Sequence, residues 1–390
     1  MTLPATPITL EALRFFRTPQ GEELLTEAAA LGTDELRASQ ILRTRFPADL
    51  CRAALALVQL RQTAREKFSL ANHMYFDREG LEMASREEIS TYRANRFQDC
   101  QTVADLGCGI GGDLLGLAAR FRVQALDLDR VRLEMARLNL RAAGLDAALV
   151  QADIRHFRIR ADGIFLDPAR RQAGRRVRSA EDYSPPLSFV QELRRSTPAV
   201  AVKVSPAIDE AELPTDCEVE FISAGHQCRE AVLYFGPLAS TSRRATILPG
   251  PHSLASTPCP AVPVAPPGSV LYDPDPALVR AHLFDELAGR LGAWKLDPQI
   301  AYLSSDTFTP TPFARGYRVQ TFLPFNLKKL RQFLLHEGLF PAEIKKRRFP
   351  IEPQELRQLL DLPAHGQGVT LILTRIAGRA SVFICVSATK

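Results

Sequence analysis

From residue 101 onward the chain alternates short apolar runs with amphipathic stretches, and this alternation limits the possible folds more than any other feature. The runs are TVADLG, VQALDLD, AALVQAD, GIFLDP and AVAVKVS, and apolar residues recur at helical spacing near 112–120 and 130–143. A strand followed by a helix and another strand returns parallel to the first, because a hairpin needs only a few connecting residues. The pattern therefore predicts a parallel, doubly wound α/β sheet with helices on its faces. Two further runs, CEVEFIS and EAVLYFG, follow each other too closely for a crossover. They are expected to form an antiparallel pair at one edge.

The flanks read differently. Residues 1–84 carry EELLTEAAAL, DELRASQILRTRF and ADLCRAALALVQLRQTAREKF, with apolar residues three and four apart and little β-branching, which predicts a helical module. Ser85 followed by Glu88 in SREEISTYRANRF has the spacing of a capping box opening another helix. Seven prolines fall within 249–268, so 249–269 is expected to be a linker or extended crossing segment between an α/β domain at 85–248 and an α+β domain at 270–390. In the latter the pattern places helices near 276–291, 326–338 and 353–361. Strands are expected near 300–304, 316–323 and 342–349, and at VTLILTRI and ASVFICVSA.

At 390 residues the chain exceeds one ordinary core. No apolar run approaches the ~20 residues that cross a bilayer, and MTLPATPITLEALRFF lacks the basic and apolar regions of a signal peptide. The seven cysteines are scattered without C-x-x-C spacing, which argues against a disulfide framework or a metal site and for the reducing cytoplasm. The net charge of +5 is uneven. Residues 155–178 hold eight arginines against two acids, and 326–348 hold seven Lys/Arg against two acids. Such clusters suit a polyanion, most often nucleic acid.

VADLGCGIGGDLL follows a strand and opens a helix. Gly107, Gly109 and Gly111 allow a tight turn and close backbone approach to a ligand. Gly107, Gly109 and Gly112 also satisfy G-x-G-x-x-G, with Asp127 twenty residues beyond Gly107, so spacing alone leaves a dinucleotide site open. Charge separates the two. Asp105, Asp127, Asp153 and Asp167 end four successive strands, where ligands bind in open α/β sheets. A ring of acids there suits the cationic S-adenosylmethionine and repels a pyrophosphate.

At these residues the sequence resembles the class I S-adenosylmethionine-dependent methyltransferases, over roughly residues 85 to 236. Asp105-x-Gly107-x-Gly109-x-Gly111 matches the loop around the methionine part of the cofactor. Asp127 matches the acid on the ribose hydroxyls and Asp153 the acid near the adenine amine. The resemblance also implies cofactor contacts at the adjoining Cys108, Leu128 and Ile154. Asp129 is better read as a helix N-cap.

FLDPARRQAGRRVR then places Asp167-Pro168 where this family keeps its reacting groups. The corner resembles the [Asp/Asn/Ser]-Pro-Pro-[aromatic] motif of methyltransferases acting on exocyclic base amines. Such an amine is a poor nucleophile, and a carboxylate with a backbone carbonyl can accept its hydrogens and turn its lone pair toward the methyl. Here Ala169-Arg170 replaces the second proline and the aromatic residue, although arginine can also stack on a base. The corner resembles that of uracil-C5 methyltransferases too, but those need a cysteine nucleophile after the next strand, which here ends in Ser205-Pro206. Cys228 is better read as a buried, inert thiol, His226 as structural or solvated, and Lys203 as equally a site residue or a solvated strand end.

The C-terminal part, about 270 to 390, resembles the THUMP-like domain that follows certain bacterial methyltransferase domains, through YDPDPALVRAHLFDELAGRLG, EIKKRRF and VTLILTRIAGRASVFICV. That resemblance implies a ferredoxin-like, RNA-binding α+β domain. The methyltransferase part looks like the cap guanine-N2 enzymes. Asp167 and Pro168 are thus the expected catalytic residues. Arg170, Arg171, Arg175, Arg176, Lys328, Lys329, Lys345, Lys346, Arg347 and Arg348 are the expected RNA contacts, in tRNA or rRNA. A protein or small acidic substrate, or a non-catalytic RNA-binding assembly factor, are the alternatives.

Overall fold

The computed structural model describes residues 8–32, 35–172, 175–177, 179–363 and 365–388. They fall into two compact units, Met1–Cys217 with Val232–Ser240 and Glu218–Ala231 with Thr241–Lys390.

The first unit opens with helices α1 (Leu10–Phe15), α2 (Pro19–Ala30), α3 (Glu35–Leu42) and α4 (Ala48–Ala64). Thr9 and Thr18 cap the first two through Ala12 N and Gly21 N. Phe16, Leu24, Leu42 and Leu57 are fully buried in the core between them, the stripe that the three-and-four spacing predicts. Helices α5 (Arg78–Met83) and α6 (Glu87–Ala94) follow. The capping box expected at Ser85 does not form. Arg86 is the N-cap of α6, without a side-chain bond. Ser85 is buried and donates its hydroxyl to Asp113 Oδ2 at 2.8 Å, because a buried carboxylate draws donors more strongly than an exposed helix end.

Five strands of this unit are parallel: β1 (Thr102–Leu106), β2 (Arg122–Asp127), β3 (Ala148–Gln151), β4 (Gly163–Leu166) and, after the two-residue antiparallel pair β5 (Arg171–Gln172) and β6 (Arg175–Arg176), β7 (Ala199–Val204). Their order is β7-β4-β1-β2-β3. Helices α7 (Gly112–Ala118), α8 (Arg130–Ala142) and α9 (Val190–Ser196) provide the crossovers. Leu106 is level with both Leu126 and Leu166, so Asp105 just before the first and Asp127 and Asp167 just after the other two lie along one rim. The order reverses between β1 and β4, which opens a crevice above β1.

In the second unit β8 (Glu218–Ala224) and the start of β9 (Gln227–Phe235) form a hairpin through Gly225 and His226, both at positive φ. This is the expected antiparallel pair. It is not an edge, however. The strand β10 (Arg243–Leu248) pairs parallel with β8, and β11 (His252–Ala255) pairs antiparallel with β10. The proline-rich segment thus begins with a strand, and its remainder is held by Val262 N on Asp285 and by the Trp294 indole on Pro266 O.

A seven-stranded sheet follows, built from β12 (Val270–Pro274), β13 (Trp294–Lys295), β14 (Leu303–Ser305), β15 (Ala314–Pro324), β16 (Leu339–Lys346), β17 (Gln367–Ile376) and β18 (Arg379–Ser387). The helix expected at 276–291 is two helices, α10 (Pro276–Ala281) and α11 (Phe284–Leu291). His282 ends the first at φ 60°, as a left-handed cap. The helices α12 (Leu327–His336) and α13 (Pro353–Leu360) cover β16 and β17, burying Leu330, Leu334, Leu356 and Leu360 against Leu371 and Val382.

Candidate active site

The crevice above β1 is built by the glycine loop. Gly107, Gly109 and Gly111 have φ of 83°, 52° and 91°, a region closed to most side chains. Gly107 is further constrained, since a Cβ there would lie 2.5 Å from the carbonyl oxygen of Asp167. Gly109 N donates to Asp127 Oδ2 at 2.8 Å, and Asp129 N donates to Asp127 Oδ1 at 2.9 Å. Asp129 caps α8 through Val131 N and Arg132 N, the role read from the sequence. The loop and the strand ends enclose one cleft, lined by Asp105, Gly107, Cys108, Gly109, Asp127, Leu128, Asp153, Ile154 and Asp167. Gly111 and Pro168 are not on its wall. Gly111 forms the turn into α7 and Pro168 is buried. Gly80, Met83 and Ala84 close the cleft from the helical region and Ser184 and Pro185 from the far side, none of them foreseen in the sequence.

The cleft is acidic. Asp105 is fully buried, and neither carboxylate oxygen has a hydrogen-bond partner among the described residues. Burial, aided by Asp167 and Asp127, pushes its pKa up to about 8. Asp127 is also raised, by burial, against the opposing pull of the Asp129 and Gly109 N–H groups. Asp153 is held below the usual carboxylate range by its hydrogen bonds from the Arg155 side chain and backbone. Burial raises the Cys108 thiol far above its ordinary value, and pushes Cys228 up to about 12. Both are neutral thiols near pH 7, so neither supplies the thiolate a C5 mechanism requires.

Asp167 is the end of a buried charge chain. Lys203 Nζ donates to Asp167 Oδ2 at 2.9 Å and to Met83 O at 3.2 Å, and lies 3.7 Å from Asp113 Oδ2. Arg93 pairs with Asp113 from the other side. Lys203 is only 2% exposed, so the solvated reading of it is excluded. The signal was available in the sequence. A lysine inside AVAVKVS sits in a central parallel strand, where both faces are covered. Asp113, Arg93 and Ser85 carried no comparable signal, because only the tertiary packing of α6 on α7 unites them.

The remaining expected contacts are dispersed. Ala169 exchanges two backbone hydrogen bonds with Ser184, at 3.0 Å each. Arg170 is half-buried, and its Nε has no partner among the described residues. The side chains of Arg171, Arg175 and Arg176, and all of Arg178, lie outside the described residues. In the second unit Lys328, Lys329 and Arg348 are exposed. Lys345 and Arg347, alternate residues on one face of β16 and its extension, both pair with Asp273, at 2.7 and 2.8 Å. Lys346 pairs with Glu352. Acids therefore offset three of the four consecutive cations. Phe349 packs edge-on against Phe325 and is buried.

The orphaned Asp105 carboxyl in a cleft whose glycine loop admits close backbone approach fits a ligand carrying positive charge, such as S-adenosylmethionine with its sulfonium and ammonium. Comparison with known proteins agrees. Residues 103–167 match a family model described as a methyltransferase domain, residues 314–387 one described as THUMP domain-like, and residues 9–64 a domain of unknown function. Two strains of Mycobacterium tuberculosis hold a relative, described as an uncharacterized S-adenosylmethionine-dependent methyltransferase, 38% identical over 320 residues, or 80% of this chain and 88% of the relative. This chain belongs to the S-adenosylmethionine-dependent methyltransferases. Its fold is also that of a Porphyromonas gingivalis W83 protein described as a methyltransferase, with a TM-score of 0.76 and 23% identity, covering 95% of this chain and 99% of that one.

The contact between Gly107 and the Asp167 corner makes a prediction. Gly107→Ala will push the corner away from the loop, and a displacement of about 1 Å in such a site lowers turnover about 100-fold. Calorimetric titration with S-adenosylmethionine, beside initial rates, checks it. Unchanged affinity and rate would show that loop and corner are independent.

Proposed function

We propose that the chain is a cytoplasmic RNA methyltransferase that modifies an exocyclic base amine, of the guanine N2 type, in tRNA or rRNA. The observation that carries this reading is the Asp167 carboxylate. It lines the cleft, with Oδ2 held by Lys203 and Oδ1 buried without a partner among the described residues. A buried acceptor left unpaired is costly, and an amine N–H is the donor it suits. S-adenosylmethionine, when bound, supplies an electrophilic sulfonium methyl. Asp105 and Asp127 face its charge and ribose, and Leu128, 62% exposed, offers an apolar surface to its base. Asp167 Oδ1 then accepts one amine hydrogen, which directs the lone pair at the methyl. Transfer forms an N–C bond as the C–S bond breaks, and the nitrogen sheds a proton toward the adjacent carboxylate. No strong base is required, because alignment and electrostatics supply most of the acceleration.

The THUMP-like region supports RNA as the substrate class. Lys328, Lys329 and Arg348 are exposed there, so they are better placed for phosphates than Lys345, Lys346 and Arg347, which face acids. Arg170, half-buried three residues beyond Asp167, suits the base or an adjacent phosphate. The direct assay is transfer of labelled methyl from S-adenosylmethionine to RNA from cells lacking the gene, followed by mass spectrometry of the nucleosides. A protein that binds cofactor but labels no RNA fraction would overturn the reading and favour a protein or small acidic substrate. Binding to RNA should also weaken steeply with salt. The Lys328→Gln/Lys329→Gln variant should flatten the slope of log K against log salt by about 2, near one unit per lost phosphate contact. A slope unchanged by both substitutions would place the RNA elsewhere.

A further inference from the structure

We propose that Lys203 is a specificity-determining positioning residue, which restricts the acceptor corner to neutral N–H nucleophiles and excludes alkylammonium groups. This rests on the reading of Asp167 as the acceptor of a substrate hydrogen, but not on RNA being the substrate.

Three observations combine. The ammonium of Lys203 is bound to Asp167 Oδ2 at 2.9 Å, so one of the two carboxylate oxygens is already occupied and the carboxylate is held in one rotamer. Lys203 is 2% exposed, so water screens its charge little. Oδ1 of Asp167 is buried and has no partner among the described residues, so one side-chain acceptor is left beside a fixed positive charge. The groups facing this pair are Asp113 on α7, backed by Arg93 on α6, and Asp105 at the end of β1, with Asp127 beyond it.

The consequence is electrostatic. Asp167 and Lys203 together carry no net charge, so Asp167 alone does not attract a cation. An alkylammonium placed on Oδ1 would meet the Lys203 ammonium, which is bound to the other oxygen of the same carboxylate. A planar amide-like or aromatic amine is neutral, donates one hydrogen to Oδ1 and meets no repulsion. The chain thus selects an amine of nucleobase or carboxamide type over a lysine side chain or a polyamine. Lys203 touches neither substrate nor cofactor in this scheme, and acts through Asp167.

Binding and turnover separate this proposal from the RNA reading. Wild type, Lys203→Met and Lys203→Arg, each saturated with S-adenosylhomocysteine, are titrated with n-butylammonium and, separately, with guanosine monophosphate. Affinity for S-adenosylhomocysteine and thermal melting confirm the fold of each variant. The expected result is that Lys203→Met gains about 10-fold or more in affinity for the alkylammonium, as removal of a nearby unscreened charge requires. Lys203→Arg should keep the exclusion. A merely structural lysine would yield weaker binding of both probes, never stronger binding of one. Equal alkylammonium affinity in wild type and Lys203→Met would overturn the proposal. Should Lys203→Met fail to fold, an Arg variant that admits the alkylammonium overturns it, and one that excludes it sustains it. Neither outcome depends on methyl transfer to RNA, which is measured on wild type alone.

Discussion

Asp167→Ala will lower methyl transfer by about 10²–10³-fold, the range for loss of one preorganised polar group at a reacting centre, while S-adenosylmethionine remains bound. The carboxylate lies at the C-terminal end of β4, beyond Leu166, which is level with Leu106 of β1 across the sheet. Its carbonyl, not its side chain, makes the close approach to Gly107. Truncating the side chain therefore spares the loop that receives the cofactor. It does leave Lys203 near the Asp113 carboxylate, at 3.7 Å. Removing one member of a buried ion pair destabilises by about 3–5 kcal/mol, and the remaining acid should keep the loss at or below the lower end. Asp167→Asn preserves shape and a hydrogen-bond acceptor, so it should fold better and retain part of the rate. Single-turnover rates measured at saturating cofactor decide the matter. An unchanged rate in the alanine variant would remove Asp167 from the chemistry and favour the non-catalytic, RNA-binding role.

Asp105→Asn should act in opposite directions on stability and on cofactor binding. Asp105 has a folded pKa of about 8 against an ordinary 3.8, and both oxygens are buried without partners. Between those two values the native protein keeps a proton that the unfolded chain has released. Stability from this group is therefore full below pH 3.8, declines as pH rises, and is lost above about 8. Asparagine cannot ionise, so the ligand-free variant should melt higher than wild type by a margin that widens as pH is raised from about 6 to about 9. Cofactor binding runs the other way. A cationic ligand favours the ionised carboxylate, so wild type should release a proton on binding near pH 7 and bind more tightly as pH approaches 8. Asp105→Asn should lose that proton release and about 100-fold or more in affinity, as loss of a buried charge partner does. Calorimetry in two buffers of different protonation enthalpy reads the proton directly. A variant that binds as tightly as wild type would mean that the cofactor charge lies elsewhere.

Much of the site was legible because it is local. The glycine loop, Asp127 and Asp153 follow from strand ends and spacing, and the acids at those strand ends by themselves suit a cationic ligand. The N-cap role of Asp129 was likewise legible, since capping involves residues two and three positions away. Ser85 and Lys203 fared differently. Ser85 has the spacing of a capping box, yet its hydroxyl goes to Asp113, twenty-eight residues along the chain. Lys203 looked as much like a solvated strand end as a site residue, yet it reaches Asp167, thirty-six residues back. The antiparallel pairing of His252–Ala255 with Arg243–Leu248 falls where the prolines suggest a linker. An edge strand tolerates prolines beside it, since one of its sides needs no donors.

The sequence by itself determined the parallel sheet, the glycine loop and the acids that surround it, because periodicity and backbone freedom are properties of neighbouring residues. The tertiary structure alone decided which charges stand free and which are matched. It offset Lys345, Lys346 and Arg347 with acids, left Asp105 without a partner, and placed Lys203 against Asp167. The physical reason is that a charge is defined by what surrounds it after burial. In this chain those surroundings come from distant segments, on strands and helices that meet only when the sheet has formed.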